Sequence, residues 1–211
     1  MLAKWSRVWF ATTAFCVGAG VLISVFTAAN NSGGNFRTPT ERAFNTFAFF
    51  TIQSNLIVGI TTALLALKPS RSGIVFATAR LTGVVAITVT GIVYHVALGN
   101  LLDLEGWDQL GNQLVHTVVP ILAVVGWLMF GPRELTSSRA VRWSLLFPVC
   151  WLAFTLIRGA VVNWYPYPFI DVTKIGYGGA ILNCVWVSLL LFGLAAGATA
   201  VDRRLRRPAS S

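Results

Sequence analysis

Six blocks of apolar residues divide the chain, and short polar stretches separate them. Each block approaches the roughly 20 residues that a helix needs to cross about 30 Å of hydrocarbon. The blocks predict membrane-spanning helices over residues 8–28, 44–67, 77–98, 112–130, 141–162 and 177–200. The connections are too short for a separate soluble domain. Residues 1–211 are therefore expected to form one all-α membrane domain, a six-helix bundle with a flexible tail from about residue 203.

Composition supports a polytopic membrane protein. The chain is 55% hydrophobic and 11% charged, whereas soluble domains carry about 25% charged residues. The first block could also be a signal peptide, because Lys4 and Arg7 precede it and Thr27-Ala28-Ala29 resembles a cleavage site. It is longer than a usual signal core, which favours an uncleaved first helix.

The basic residues indicate the orientation of the bundle. The formal net charge is +9, but Lys and Arg stand at helix ends and in loops, where they orient membrane proteins, so nucleic-acid binding is not expected. With a cytoplasmic amino terminus, 12 of the 16 basic residues fall inside, including Arg203, Arg204, Arg206 and Arg207. This bias predicts that both termini are cytoplasmic, and the short loops and Arg- and Ala-rich composition are typical of a bacterial plasma membrane protein.

Polar side chains within the spans gather at one end of the bundle. In the predicted topology, Thr51 lies about 10 Å and His116 about 6 Å along helices that enter from outside, at 1.5 Å per residue. His95, Arg158 and Asn183 lie near the outer ends of other helices. Because polar residues within membranes are rare and usually functional, this shared depth predicts a site in the outer half of the bundle.

Spacing places some of these groups on common helix faces. Thr51 and Asn55 are four residues apart, as are Asn112 and His116, so the members of each pair share a face. If the two faces meet, a hydroxyl and an imidazole would lie within hydrogen-bond distance. A hydroxyl is a weak nucleophile unless a base activates it, and either of the two histidines, His95 and His116, could serve.

Structural roles compete with this hypothesis. A threonine in a membrane helix often bonds to the carbonyl four residues back, and a histidine there can simply link two helices. Arg158 could extend its charge to the lipid headgroups. Interhelical hydrogen bonds are a further possibility for Asn55, Asn112 and Asn183.

Metal and cofactor sites find little support in the sequence. The two histidines could ligate haem from separate helices, but no other feature favours haem. The three cysteines, Cys16, Cys150 and Cys184, lie inside predicted spans without the spacing of a metal site. Neither a metal nor a cofactor is therefore expected.

Three short segments resemble one known family. They are Phe49-Phe50-Thr51-Ile52-Gln53-Ser54-Asn55-Leu56, the segment from Asn112 through His116-Thr117 to Pro120, and Tyr167-Pro168-Phe169 with Asp171 after it. Their sequences and order resemble the androgen-induced gene and androgen-dependent TFPI-regulating protein family, which shares the six-helix plan and cytoplasmic termini. The chain departs from the family pattern at Gln113, Leu114 and Tyr165.

The resemblance implies an intramembrane hydrolase. Family members cleave fatty acid esters of hydroxy fatty acids with a Thr nucleophile and a His, and by motif these roles fall on Thr51 and His116. The expected activity is hydrolysis of a lipid ester. Asn55, Asn112 or backbone amides near Pro120 would stabilise the oxyanion, Arg158 could hold a substrate carboxylate, and His95 could tune the site.

The alternative is a non-enzymatic membrane protein: a lipid-binding module, a small carrier or a partner subunit. No predicted span contains a buried acid at mid-depth, a feature that ion-coupled carriers commonly use. A pure scaffold would not need polar residues at one level. The expected partner is a membrane lipid or fatty acyl ester, and Gly193 and Gly197 form a GxxxG motif that could support a homo-oligomer.

Overall fold

The regular structure of the chain is helical. The computed structural model describes residues 2–31, 35–101, 103–133 and 136–205, and no strand occurs in these ranges. Arg206 and Arg207, which contribute to the predicted charge bias, lie outside them. The helices are α1 (Leu2–Asn30), α2 (Pro39–Asn45), α3 (Phe50–Leu67), α4 (Ile74–Val93), α5 (Gly106–Gln113), α6 (Val119–Phe130), α7 (Ser138–Ser144), α8 (Leu146–Val162) and α9 (Val172–Leu205). A π-helical turn, Tyr94–Leu98, extends α4, and another, Leu114–Val118, joins α5 to α6.

Six stretches of helix are long and apolar enough to cross a membrane within the described part of the chain. They are Lys4–Asn30, Phe50–Leu67, Ile74–Leu101, Gly106–Phe130, Ser138–Val162 and Val172–Leu205. The predicted all-α bundle of six membrane helices is thereby confirmed. Six crossings would place Leu2 and Leu205 on one face, and we call the opposite face, where α1 ends and α3 begins, the distal face.

The second span begins later than the sequence predicts. A single helix was expected from residue 44, but α2 ends at Asn45, a 3₁₀ turn covers Thr46–Ala48, and Phe49 is extended with φ −73° and ψ 135°. Thr51 consequently lies in the first turn of α3. The predicted depth of about 10 Å along a helix, from a rise of 1.5 Å per residue, is therefore wrong for Thr51.

Two breaks interrupt the last spans. Pro148 has no N–H and its ring crowds the carbonyl four residues back, and the helix breaks just before it, at Leu145, between α7 and α8. Gly176 adopts φ 68° and ψ 169° near the start of α9, a conformation that favours glycine. The helix then continues to Leu205, past the predicted start of the tail at about residue 203.

Glycines allow close packing around the turn that carries His116. A Cβ added to Gly20 in α1 would lie 2.9 Å from Val115 Cγ1, and one added to Gly91 in α4 would lie 3.2 Å from Pro120 Cβ. Larger residues would push these helices apart, as at other small-residue contacts in membranes. The turn is thus held between α1 and α4.

The last two spans lie at the periphery of the bundle. Their most apolar windows are only 11% buried each, against 61% for the span Ile74–Leu101. Aromatic contacts attach α8 to the start of α3, since the Phe50 ring lies 5.1 Å from the rings of both Phe147 and Trp151. Much of α8 and α9 is consequently left to face lipid.

The GxxxG motif of α9 does not pack within the chain. A Cβ added to Gly193 or Gly197 would meet no atom within 4 Å. The motif therefore leaves an open strip on the outside of α9, and the homo-oligomer stays a prediction.

Candidate active site

Thr51 and His116 are in direct contact at the distal end of the bundle. Thr51 Oγ1 lies 3.1 Å from His116 Nε2, and Nδ1 of the same ring lies 3.1 Å from the carbonyl oxygen of Asn112. Because a carbonyl can only accept, Nδ1 carries the proton and Nε2 is the acceptor. The Thr51 hydroxyl therefore donates to His116, as a nucleophile donates to its base.

A π-helical turn positions the imidazole. His116 lies in the turn Leu114–Val118, which is closed by a bond from the Val119 N–H to the Leu114 carbonyl five residues back. The carbonyl four residues before His116, that of Asn112, can then receive the ring N–H of the histidine. The backbone of this helix thus orients the His116 imidazole.

Tyr94 fixes the plane of the His116 ring. Its own ring is stacked on the imidazole, with centroids 4.3 Å apart and planes 22° apart, and its hydroxyl accepts a hydrogen bond of 2.5 Å from Asn112 Nδ2. An aromatic face also stabilises a cation placed over it. The stack is therefore suited to an imidazole that becomes positively charged during a reaction.

Tyr167 completes the contacts of Thr51. Its hydroxyl oxygen accepts the Thr51 backbone N–H at 3.2 Å and lies 3.1 Å from Thr51 Oγ1. Since the single hydroxyl proton of Thr51 points to His116, Tyr167 must donate its proton to Thr51 Oγ1. Burial raises the pKa of the Tyr167 phenol above its ordinary value, which keeps this donor protonated.

Sequence reasoning missed Tyr167 as a site residue. An aromatic residue at the end of a span is expected at the lipid headgroups, and 116 residues separate it from Thr51. The available signal was its place in the Tyr167-Pro168-Phe169 motif. The side chain is only 8% exposed, so it belongs to the core of the site and not to the membrane surface.

Asn55 links α3, which carries Thr51, to the π-helical turn that carries His116. Its Nδ2 donates to the Thr51 carbonyl at 2.8 Å and to the Val115 carbonyl at 3.1 Å. In the register of the π turn, the Val115 carbonyl would face the N–H of residue 120, but Pro120 has none. Asn55 supplies the missing donor. Both of its N–H groups are thereby used, which leaves none for the predicted oxyanion contact.

The start of α3 is a second source of hydrogen-bond donors. The first N–H groups of a helix have no partner within the helix, and they carry its positive partial charge. Thr51 lies in this first turn, where Phe49 is the N-cap residue without a side-chain cap. The Thr51 N–H of this turn already donates to the Tyr167 oxygen, so the turn contributes mainly its positive partial charge to the surroundings of the Thr51 hydroxyl.

Two cavities meet at the Thr51–His116 pair. The first, here called the apolar pocket, has a volume of about 120 Å³ and is lined mainly by hydrophobic residues of α3, α4, α8 and α9. The second, the vestibule, has a volume of about 380 Å³ and lies among α1, α5 and the segment 46–52. Both cavities are lined by Thr51, His116 and Tyr167, so the pair stands at the boundary between them.

A third cavity extends the apolar pocket towards the lipid. This lateral groove, of about 370 Å³, runs between α8 and α9. It shares Leu152, Cys184, Ser188 and Phe192 with the apolar pocket. Its outer wall includes Ile181, which is 63% exposed. The lateral groove is therefore adjacent to the apolar pocket, and the two share one wall.

Of the remaining predicted residues, Asn112 contacts the pair through its carbonyl, whereas His95 and Asn183 lie around it. His95 is exposed and lies 3.1 Å from Thr117 Oγ1 through Nε2, with the Tyr94 ring next to it. Asn183 Nδ2 donates to the Phe169 carbonyl at 2.9 Å, which fastens the segment carrying Tyr167 to α9. Asn112 lines the vestibule.

Arg158 lies elsewhere on the distal face. Its guanidinium donates to Asn45 Oδ1 at 2.8 Å and lies over the rings of Phe36 and Trp164. It lines a separate surface cavity with Phe44 and Asn45. The predicted contact of Arg158 with a substrate carboxylate is therefore not supported by its position.

Metal-type side chains do not cluster around the pair. Among the described residues, no group of three or more His, Cys, Asp or Glu side chains could hold a metal ion.

Comparison of the chain with protein-family models, curated proteins and solved structures gives no match. The chemistry of the site is therefore argued from its geometry.

Proposed function

We propose that this protein is an intramembrane lipid-ester hydrolase in which Thr51 is the nucleophile and His116 is the general base. The observation that carries the proposal is the 3.1 Å contact between Thr51 Oγ1 and His116 Nε2, an atom whose acceptor state follows from the Asn112 carbonyl. A purely structural threonine would bond back to its own helix. This hydroxyl points instead at an oriented base.

The first half of the reaction would form an acyl-enzyme. Thr51 Oγ attacks the ester carbonyl carbon while His116 Nε2 takes the hydroxyl proton. The tetrahedral intermediate then collapses, the bond between the carbonyl carbon and the alcohol oxygen breaks, and the imidazolium returns the proton to that oxygen. The products of this half are a free alcohol and an ester of Thr51.

The second half would regenerate the enzyme. His116 takes a proton from a water molecule, whose oxygen attacks the acyl carbon. The bond to Thr51 Oγ breaks, and the proton passes from His116 to that oxygen. A fatty acid leaves, and Thr51 is a hydroxyl again.

Tyr167 and the first turn of α3 would stabilise the oxyanion of both intermediates. Preorganised donors in a site with little water are usually the largest single contribution to such catalysis. Tyr167 donates to Thr51 Oγ1 at 3.1 Å, one bond away from the carbon that Thr51 would attack. A small rotation of the phenol O–H would transfer this hydrogen bond to the substrate oxygen.

The cavities favour a lipid over a soluble ester. The apolar pocket and the lateral groove lie between membrane spans and are lined almost entirely by hydrophobic side chains. Burial of each methylene of an acyl chain contributes about 0.8 kcal/mol. Membership in the family that the three motifs resemble is part of the proposal, and its support is the convergence of Thr51, His116 and Tyr167, one from each motif.

The proposed location is a bacterial plasma membrane with both termini in the cytoplasm. Its support is the excess of basic residues on the face that carries the termini, 12 of 16 in the sequence, and the short loops. Alkaline phosphatase and green fluorescent protein fused after residue 211 would test it. Fluorescence without phosphatase activity is expected, and the reverse would place the carboxy terminus outside.

Labelling with a fluorophosphonate probe tests the hydrolase directly. Purified wild type in nanodiscs is compared with Thr51→Ala, His116→Ala and Thr62→Ala. The last variant is the control, because Thr62 is a buried threonine of the same helix whose hydroxyl bonds to the Val58 carbonyl at 2.7 Å. Thermal unfolding confirms that each variant is folded.

Two patterns of labelling decide the question. Labelling of wild type and Thr62→Ala, with loss in the other two variants, would support an activated Thr–His pair. A folded wild type that neither reacts with the probe nor hydrolyses any lipid ester would refute the proposal and favour a lipid-binding or carrier protein.

A further inference from the structure

Three hydroxyl groups of the vestibule present only hydrogen-bond acceptors to a ligand. Ser24 donates its hydroxyl proton to the Gly20 carbonyl at 2.8 Å, and Thr46 donates to the Arg42 carbonyl at 3.2 Å. Thr27 likewise points to a carbonyl of its own helix. With these protons engaged, the hydroxyls offer only lone pairs to a ligand. The vestibule is therefore complementary to a ligand that brings its own O–H donors.

The charge in the vestibule is negative. Asp108 lines it, and Asn31 Nδ2 lies 3.3 Å from each of its carboxylate oxygens. No Lys or Arg of the described residues lines this cavity. The nearby Arg42 is engaged with backbone carbonyls, including those of Ala28 and Ala29. A carboxylate placed here would face Asp108, and no Lys or Arg of the described residues lines the cavity to pair with it.

The other side of Thr51 is suited to hydrocarbon. The apolar pocket continues into the lateral groove past Cys184 and Ser188. An ester carbonyl at Thr51 would therefore have its acyl chain on this side and its alcohol in the vestibule. The acyl chain would contact hydrophobic side chains and the alcohol would contact polar ones, so the protein can select for each half of the substrate.

We infer that the alcohol half of the substrate is an uncharged polyol, as in an acylglycerol, and that its acyl chain reaches the apolar pocket from the bilayer through the lateral groove. This inference rests on the proposed function and names its substrate class. It differs from the substrates that the family resemblance implies, because esters of hydroxy fatty acids carry a free carboxylate. Hydroxyl groups of the polyol donate to Ser24, Thr27, Thr46 and Asp108.

A pair of esters that differ in one charge tests the alcohol side. The first is the oleoyl ester of 12-hydroxystearic acid, the second is its methyl ester, and 1-oleoylglycerol is assayed beside them. We expect kcat/KM for 1-oleoylglycerol and for the methyl ester to exceed that for the free acid by about tenfold or more, since a second negative charge close to Asp108 is repelled. A preference for the free acid would overturn the inference.

Reversing the charge at position 108 tests whether Asp108 causes the preference for uncharged esters over the free acid. Asp108→Lys should favour the free acid and reduce the ratio to about one or below, as expected for a nearby charge pair. Asp103→Lys is the matched control, because Asp103 is exposed in the connection just before α5, the helix of Asp108, and does not line the vestibule. An unchanged ratio in Asp108→Lys, or equal changes in both variants, would contradict the assignment.

Binding of ethers separates this inference from the hydrolase proposal. Thr51→Ala protein is titrated with 1-O-oleylglycerol and with an oleyl ether that ends in a carboxylate, and binding is measured by native mass spectrometry. The glycerol ether should bind about tenfold more tightly or better, a factor worth about 1.4 kcal/mol. Tighter binding of the carboxylate ether would overturn the inference even if the protein hydrolyses esters. Selective binding of the glycerol ether without turnover by wild type would instead refute the hydrolase and keep the ligand class.

Two cysteine positions test the acyl side. Cys184→Trp fills the junction of the apolar pocket and the lateral groove, whereas Cys150→Trp adds the same bulk at an exposed position of α8 outside both. Cys184→Trp should lose binding of 1-O-oleylglycerol and keep binding of a butyl ether. Cys150→Trp should bind both ethers as wild type does. Equal oleyl binding by the two variants would exclude the groove as the route.

Discussion

The side-chain amide of Asn55 in α3 donates to the Val115 carbonyl, 3.1 Å away in the π-helical turn that carries His116. The same amide donates to the Thr51 carbonyl. One fully buried side chain therefore determines how the helix of the nucleophile lies against the turn of the base. The bridge thus helps to set the distance between Thr51 and His116.

Replacing Asn55 should impair catalysis and stability together. Asn55→Leu removes both donors; the Thr51 carbonyl still accepts from the Ser54 hydroxyl, but the Val115 carbonyl loses the donor that Asn55 supplies, which costs about 1–3 kcal/mol for an unsatisfied buried group. We expect a lower unfolding temperature and a kcat reduced by about 10²-fold, the size of effect seen when a reacting group is misplaced by about 1 Å. Asn30→Leu is the control, because that amide is exposed and bonds within its own helix. Wild-type kcat in folded Asn55→Leu would show that the bridge is not needed.

Removing one oxygen atom from Tyr167 should slow the chemical step. Tyr167→Phe deletes the donor to Thr51 Oγ1, and kcat should fall by about 10²-fold, as for the loss of one oxyanion donor. KM should change little, because the ring that lines the cavities remains. Tyr165→Phe serves as control, since that ring packs against Gly159 and not against Thr51. Equal kcat values in the two variants would remove Tyr167 from the mechanism.

Two glycine-to-alanine changes should act in opposite directions. A Cβ on Gly159 would lie 2.1 Å from the Tyr165 ring, whereas one on Gly193 would meet nothing within 4 Å. Gly159→Ala should destabilise the protein by about 1–3 kcal/mol, the usual cost of overpacking. Gly193→Ala should stabilise it by about 0.5–1 kcal/mol through helix propensity. Denaturation in a mixed-micelle series measures both, and a stable Gly159→Ala protein would contradict this packing.

The buried Arg80 should be replaceable by a hydrophobic residue. Its side chain is 1% exposed, none of its three guanidinium nitrogens has a hydrogen-bond partner among the described residues, and its charge lies over the Phe10 ring. A hydrophobic residue of similar volume in place of a buried charge is often neutral or stabilising by about 1–4 kcal/mol. Arg80→Met should therefore unfold at the wild-type temperature or higher, and Arg80→Ala, which leaves a cavity, at a lower one. A marked loss of stability in Arg80→Met would show that the charge has a structural function.

The bundle itself could be predicted from the apolar blocks, because a membrane permits few alternatives to a helix where backbone groups lack water. Its local interruptions were harder to predict. Thr38 and Glu41 form a capping box that starts α2, with each side chain accepting the backbone N–H of the other, and this signal was present in the sequence. A continuous apolar pattern concealed the break at Phe49.

Thr51 and His116 could be predicted as site residues from the sequence, whereas the contacts that surround them could not. Thr51 and His116 are polar residues in apolar spans, so their positions alone attract attention. The role of Tyr167 depends on where its O–H points, and that of Asn55 on the absent N–H of Pro120; neither is encoded in residue type. Arg158 was predicted to hold the substrate but lies away from the site, because depth along a helix does not tell which side of the bundle a side chain faces.

The length of α9 links the site to the thickness of the surrounding membrane. Beyond Gly176 this helix is about 43 Å long at 1.5 Å per residue, more than the roughly 30 Å of a typical hydrocarbon core, so it must tilt or protrude. The lateral groove has α9 as one wall and α8 as the other. A thinner bilayer increases the tilt of α9 and thereby changes the width of the groove. The acyl-chain length of the surrounding lipids would therefore regulate access of substrate to Thr51.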